Sequence, residues 1–306
     1  MAARRHEPVL YEEIIHALQP RPSGRYIDGT VGAGGHARGI LEASAPDGLL
    51  LGMDVDAAAL ELARGALAGF GERVTLKQAS HENMLDAMRE RGWQAVDGIV
   101  LDLGVSSMQL DTQERGFSFQ AEAPLDMRFD ASHGMTAAEL INTAEETELA
   151  DMLFKLGEEP RARKIAKLIL QARPITTTTQ LADVVKRAYH ERQRLHPATR
   201  TFQALRIAVN DELGRLERTL PRALEALKPG GRMAILSFHS LEDRIVKQFL
   251  REQGKDQFNQ PYIKEYETER RASLKEVNRK PIVAGELERS TNPRARSAKL
   301  RVAEKI

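Results

Sequence analysis

"YIDGTVGAGGHA", residues 26–37, places Gly29, Gly32, Gly34 and Gly35 directly after a short apolar run that ends in an acid, Asp28. Glycines let a backbone approach a ligand because no side chain intervenes, and a helix starting behind such a loop offers its first amides. "GAGGHA" (32–37) fits the loose nucleotide-binding spacing G-x-G-x-x-A. A plain tight turn uses the same residues, so context must separate the two. Asp54 closes the next apolar run about 20 residues on, where an acid meets a ribose diol. No lysine stands in the loop to grip phosphate, which excludes a P-loop.

Working outward, strand and helix signals alternate. "RYIDGT" (25–30), "GLLLGMDVD" (48–56), "RVTLKQ" (73–78) and "GIVLDLG" (98–104) read as strands, with helical "AAALELARGALAGF" (57–70) and "HENMLDAMRERG" (81–92) among them. This spacing predicts a parallel sheet with right-handed crossovers. From about residue 105 to 200 the signals are helical: 137–156, 161–173 and 179–192, with "TTTT" (176–179) as an N-cap region. A long helix over 201–230 precedes the strand "GGRMAILSF" (230–238), and "SAKLRVAEK" (297–305) reads as a final strand. The stretch 252–292 is polar and is expected to be irregular and partly mobile. The fold class is therefore α/β, one Rossmann-like sheet interrupted by a helical insertion. Both NAD and S-adenosylmethionine carry the ribose that Asp54 would hold. Asp28 before the glycines suits an ammonium group without a pyrophosphate, which describes a methionine moiety.

Composition narrows the chemistry. The 306 residues carry 45 basic and 44 acidic side chains, so net charge names no partner. There is no cysteine, which removes disulfides, Cys-ligated zinc, iron–sulfur clusters and a thiolate nucleophile. The start lacks an apolar core of signal-peptide length, and no run of about 18 apolar residues occurs. A soluble cytoplasmic protein is the expectation, with no membrane partner.

Charge is nevertheless segregated. Between Lys155 and Arg206 about twelve Lys and Arg face about four Asp and Glu, the balance of a phosphate-facing surface. Arg161, Arg163, Lys164 and Lys167 lie within two helical turns, Arg200 and Arg206 follow, and Phe202 is placed for stacking. "NPRARSAKLR" (292–301) adds Arg294, Arg296, Lys299 and Arg301. A solvated helix face is the competing reading, and RNA or DNA binding is the one favoured here.

Two strand ends carry the remaining candidates. "LDLGVSSMQL" (101–110) puts Asp102 at a carboxyl strand end, where ligands gather in open α/β sheets. Gly104, Ser106 and Ser107 leave room for a planar substrate. "LSFHSLEDR" (236–244) puts His239 and Ser240 on the same rim, with a structural histidine and a catalytic one equally open.

Taken together, "HEPVL", "YIDGTVGAGGH", "LDLGVSSMQLD", "RGFSF", "PLDMR", "HPATRTFQALRIAVN", "SFHSLEDRIVK" and "NPRARSAKLR" resemble the bacterial 16S ribosomal RNA cytosine-N4 methyltransferase family, the small-subunit methyltransferase H or MraW type. The resemblance covers nearly the whole chain. It implies an S-adenosylmethionine-dependent enzyme acting on the N4 of one decoding-centre cytosine of 16S rRNA in the small ribosomal subunit. It implies a class I methyltransferase sheet, expected over 1–108 and 201–306, with a helical RNA-recognition insertion over 109–200. Its cofactor positions fall on Gly34, Gly35, His36, Asp54, Asp102 and Gln109, and a stacking position falls on His81. The loop reading adds Asp28 and Gly32. Thr30 departs from the wider loop pattern, standing where a first glycine is usual. Asp102-Leu103-Gly104-Val105 also lacks the prolines and aromatic of many amino-methyltransferases.

Methylation at cytosine C5 uses a cysteine nucleophile, and this chain has none. Nitrogen or a ribose hydroxyl is left. Asp102 is the expected acceptor at N4–H, with Ser106, Ser107 and His239 as further candidates for holding the base or taking the proton. No metal and no obligate protein partner is called for. The rival functions are an NAD-dependent oxidoreductase, a nucleic-acid binder without catalysis, and a methyltransferase of DNA or protein.

Overall fold

The computed structural model describes residues 8–189, 195–256 and 271–306. The chain divides into two compact units, Met1–Gly104 with Gly214–Ile306, and Val105–Leu213.

The first unit opens with α1 (Tyr11–Leu18), β1 (Arg25–Asp28), α2 (Gly35–Ala43), β2 (Leu49–Asp54), α3 (Ala57–Leu67), β3 (Val74–Gln78), α4 (Met84–Glu90) and β4 (Val96–Asp102). The second holds α5 (Ser107–Asp111), α6 (Ala137–Thr143), α7 (Glu146–Gly157), α8 (Ala162–Ala172), α9 (Thr178–Lys186) and α10 (Thr199–Asn210). The chain then continues through α11 (Glu212–Ala226), β5 (Leu227–Ser237), α12 (Ser240–Gln253), β6 (Leu274–Glu276), α13 (Glu286–Thr291) and β7 (Lys299–Lys305).

The sheet runs β3-β2-β1-β4-β5-β7-β6. β1 to β5 pair in parallel, and β7 is antiparallel to both of its neighbours. This is a Rossmann-like sheet, as the sequence reading expects. Strand order reverses between β1 and β4, so a ligand crevice opens beyond the carboxyl ends of those strands.

Burial on both faces explains why the strands read as continuous apolar runs. Tyr26, Leu50, Val100, Ala234 and Leu236 point to one side, where α1, α2 and α3 supply Ile14, Ile40 and Leu60. Their chain neighbours Ile27, Leu51, Ile99, Leu101 and Ile235 point to the other, against Met84 and Met88 of α4, Leu216 and Leu220 of α11, and Val246 and Leu250 of α12.

The helical unit has its own core, built from Leu125, Ile141, Leu153, Ile165, Ile169, Leu181 and Leu205 among others. Its helices start where side chains cap them. Thr177 accepts from the Gln180 amide, as the threonine run predicts, and Thr136 accepts from the amide of Glu139.

Several elements differ from the sequence reading. The helix expected over 137–156 is two, because Glu145 forms a capping box with Glu148 and restarts the chain as α7. The long helix after residue 200 also breaks. Asp211 takes a left-handed conformation (φ 49°), and Asn210 donates to the carbonyls of Met127 and Arg206 while accepting from the amide of Phe129. α10 packs Phe202, Ala204 and Leu205 into the helical core, although the sequence boundary at 200 placed it with the sheet. Phe202 is buried edge-on against Phe119, so it is a core residue and not a free stacking ring. Within 252–292, residues 257–270 lie outside the described residues, and the rest includes β6 and α13.

One buried ion cluster joins α12 to β7. Arg301 Nε donates to Asp243 Oδ1 at 2.7 Å, and Lys299 Nζ to Oδ2 at 3.1 Å. Burial alone would raise the Asp243 carboxyl, but bonds from Arg301 and Lys299 hold it below the usual range. Arg301 is 4% exposed and thus a structural cation, not part of an outer basic surface. Asp243→Ala leaves that guanidinium buried without its partner and is expected to cost about 3–5 kcal/mol in denaturant unfolding. A loss under about 1 kcal/mol would show that solvent reaches Arg301 freely.

Candidate functional site

The site of the sheet unit is assembled from strand ends. Asp28, Asp54 and Asp102 are the last residues of β1, β2 and β4, three neighbouring parallel strands. The glycine loop is laced across them. Gly29 N–H donates to the Val100 carbonyl, Val31 N–H to Met53, and Gly32 N–H to Asp54 Oδ2 at 3.0 Å. Thr30 replaces the usual glycine for a visible reason: its Oγ1 accepts the Asp102 amide at 2.6 Å and ties the loop to β4.

The glycines do different jobs. Gly34 is the N-cap of α2 at φ 87°, a left-handed conformation that side chains rarely adopt. At Gly35 a Cβ would lie 2.3 Å from the Pro8 ring, so its missing side chain admits the chain's own "PVL" segment.

Asp28 sits beneath the loop, 1% exposed, with Oδ1 accepting from the Thr30 amide. Burial pushes its carboxyl up to about 8, and the Thr30 amide offsets this only in part, since Asp102 and Asp54 add their repulsion. Burial also raises Asp54, to about 6, against the amides of Asp56 and Gly32 that its two oxygens accept. Three acids crowded at one sheet edge favour a cation above them.

Two histidines complete this edge. His36, in the first turn of α2, is buried, its Nε2 bonded to the Val9 carbonyl at 3.1 Å and its ring stacked on Tyr11. Its Nδ1 lies 3.8 Å from Asp102 Oδ2. His81 packs its Cβ beside Gly29 and bonds Thr219 Oγ1 through Nδ1 at 2.7 Å. That hydroxyl donates to the Arg215 carbonyl, so His81 Nδ1 carries the proton. Burial, with help from Arg215, lowers His81 to about 4, so the ring is neutral at neutral pH. Thr30 stood out in the sequence only as a departure from the loop pattern, and Thr219 not at all; a hydroxyl's partner cannot be read from one chain.

His239 does a helix-capping job. Its Nδ1 accepts the Glu242 amide at 3.4 Å, and Glu242 Oε2 accepts the amides of Phe238 and His239. In the helical unit, Ser106 and Gln109 form the capping box of α5, each bonding the other's backbone amide. The side chain of Ser107 lies outside the described residues.

The predicted basic residues separate into two sets. Arg161 Nη1 and Lys164 Nζ donate to the Ala188 carbonyl, Arg161 also covering Tyr189, and Arg206 makes two bonds to Glu212. Arg294 lies over Phe238, and Arg296 Nε reaches the Arg289 carbonyl. Arg163, Lys167 and Arg200 are exposed. Among the described residues no helix is long and apolar enough to cross a membrane.

Comparison with known proteins identifies the family. The chain is 52% identical to the ribosomal RNA small subunit methyltransferase H of Geotalea daltonii, over the full length of both. It is 52% identical to the protein of that name from Syntrophotalea carbinolica, over 98% of each chain. Among solved structures, an rRNA methylase from Streptococcus thermophilus aligns over 97% of this chain and 93% of its own, at 12% identity and a TM-score of 0.43. The family model described as the MraW methylase family matches residues 3–306, and the chain belongs to that family of methyltransferases.

Proposed function

We propose that this chain methylates the exocyclic N4 amine of a decoding-centre cytosine of 16S rRNA, within the small ribosomal subunit in the cytoplasm, with S-adenosylmethionine as donor. The observation that carries the cofactor is the acid cluster at the point of strand reversal, with no cation in the glycine loop to hold a pyrophosphate. Bound there, S-adenosylmethionine supplies a methyl group on a sulfonium, already a good leaving group.

The chain's own residues do the rest. Asp54, its orientation fixed by the amides of Gly32 and Asp56, takes the ribose hydroxyls. Gly34, Gly35 and His36 present the start of α2. Asp28 is too deeply buried for open contact and acts by holding the loop and by its field. Neutral His81 offers a flat face. Asp102 accepts from N4–H and so localises the amine lone pair toward the methyl group. Positioning supplies most of the rate. The absence of cysteine favours nitrogen over ring carbon. Ser106 and Gln109 fix the start of α5, and His239 fixes that of α12. The cytosine must leave its stack to reach Asp102, and the exposed cations Arg163, Lys167 and Arg200 of the helical unit bind rRNA phosphates.

Mass-spectrometric mapping of 16S rRNA from cells lacking this protein is expected to show one cytosine without its N4 methyl; a full modification map would overturn the reading. Asp102→Asn is expected to slow methyl transfer by about 100-fold or more at saturating cofactor, and near-normal turnover would remove Asp102 from the chemistry.

A cationic ligand favours the charged forms of Asp28 and Asp54, raised to about 8 and about 6. Cofactor affinity should therefore rise with pH through that window, with protons released on binding. Calorimetry in buffers of different ionisation enthalpy measures the release, and its absence would mean that the cation does not feel these acids.

Charge reversal at Arg163, Lys167 and Arg200 together should weaken subunit binding and reduce the slope of log affinity against log salt by about two. Unchanged affinity at low and high salt would make them a solvated face.

A further inference from the structure

His36 is placed for more than cofactor contact. A carbonyl can only accept, so the 3.1 Å contact to Val9 O requires His36 Nε2 to carry the proton. In the neutral ring Nδ1 then holds a lone pair, and it faces Asp102 Oδ2 at 3.8 Å. Two acceptors opposed at this distance repel, and one proton shared between them turns repulsion into an ion pair. Two titratable groups near the ring are Tyr11 of α1, stacked on it, and Asp28 of β1, which accepts the amide of the next residue, Ala37. Both are held toward their protonated forms: Tyr11 is raised by burial and the carboxylate of Glu42, and Asp28 is raised to about 8 by burial.

We propose that His36 is a positioning and proton-holding partner of Asp102, the pair forming the base for the amine. The inference rests on the reading of Asp102 as acceptor. In the step, the N4–methyl bond forms while the sulfur–methyl bond breaks, its electron pair staying on sulfur. The N4–H bond breaks and its pair returns to nitrogen. The proton passes to the Asp102 carboxylate and then to His36 Nδ1, which regenerates the carboxylate and leaves an imidazolium. The Val9 carbonyl and Asp102 stabilise that imidazolium from its two sides. No other acceptor is needed, and the proton later leaves to solvent through the partly exposed Asp102 side chain.

The test joins spectroscopy to kinetics on the full chain. In protein labelled with nitrogen-15 histidine, the neutral His36 ring should show its proton on Nε2. Asp102→Asn should shift the His36 Nδ1 resonance, because the carboxylate facing that nitrogen loses its charge. An Nδ1–H tautomer, or an Nδ1 resonance indifferent to Asp102→Asn, overturns the pairing. His36→Gln keeps an amide donor near the Nε2 position but has no base at Nδ1. Single-turnover methyl transfer to small subunits at saturating cofactor should slow by about tenfold or more near neutral pH. The acid limb of the pH profile should shift, with cofactor held saturating for each variant. A wild-type rate and profile, or a rate restored by raising the cofactor concentration, overturns it. If Asp102→Asn is slow and His36→Gln is not, only this inference fails; if both are fast, the assignment of Asp102 fails with it.

Discussion

Crowding of negative charge at one sheet edge is the constraint on which the rest depends. Asp28, Asp54 and Asp102 end three adjacent strands, and parallel pairing forces them to the same side. Such a group is unfavourable unless amides, protons or a cation answer it. The glycine loop supplies amides: Thr30 to Asp28, Gly32 to Asp54. The loop's conformation is in this sense a response to the acids. The methyl donor brings the positive charge that the amides do not.

The parallel sheet was legible because strands buried on both faces leave long apolar runs between glycines and acids. Leu49–Asp54 and Val96–Asp102 need no tertiary knowledge to be recognised. The place of Asp54 at the end of β2 was legible because an apolar run closes on it about 20 residues after the loop. Helix breaks were less so. Asp211 and Glu145 interrupt periodic stretches through side-chain bonds that one-dimensional periodicity does not register. His239 shows the same limit: a histidine at a strand end reads as catalytic or capping with equal ease, and its bond from the Glu242 amide appears only in three dimensions.

Arginines were the hardest to place. In the sequence, Arg161, Arg206 and Arg301 look like their neighbours Arg163 and Arg200. In the structure the first three satisfy backbone carbonyls or buried carboxylates, because a guanidinium has five donors and can tie several elements at once. Arg163 and Arg200 stay exposed. A run of positive charge thus overstates a nucleic-acid surface whenever part of it is internal bracing.

The placement of the helical unit bears on how the protein is made. β4 finds its partner β5 only after the whole of Val105–Leu213 has been synthesised, and β5 is covered by β7 later still. During translation the β1–β4 half therefore waits at the ribosome with an open apolar edge, while the helical unit, whose core is its own, can fold first. Asp102 lies on that waiting edge strand. Asp102 is thus set beside Leu236 of β5 among the last events of folding, so an incomplete chain lacks the finished strand end.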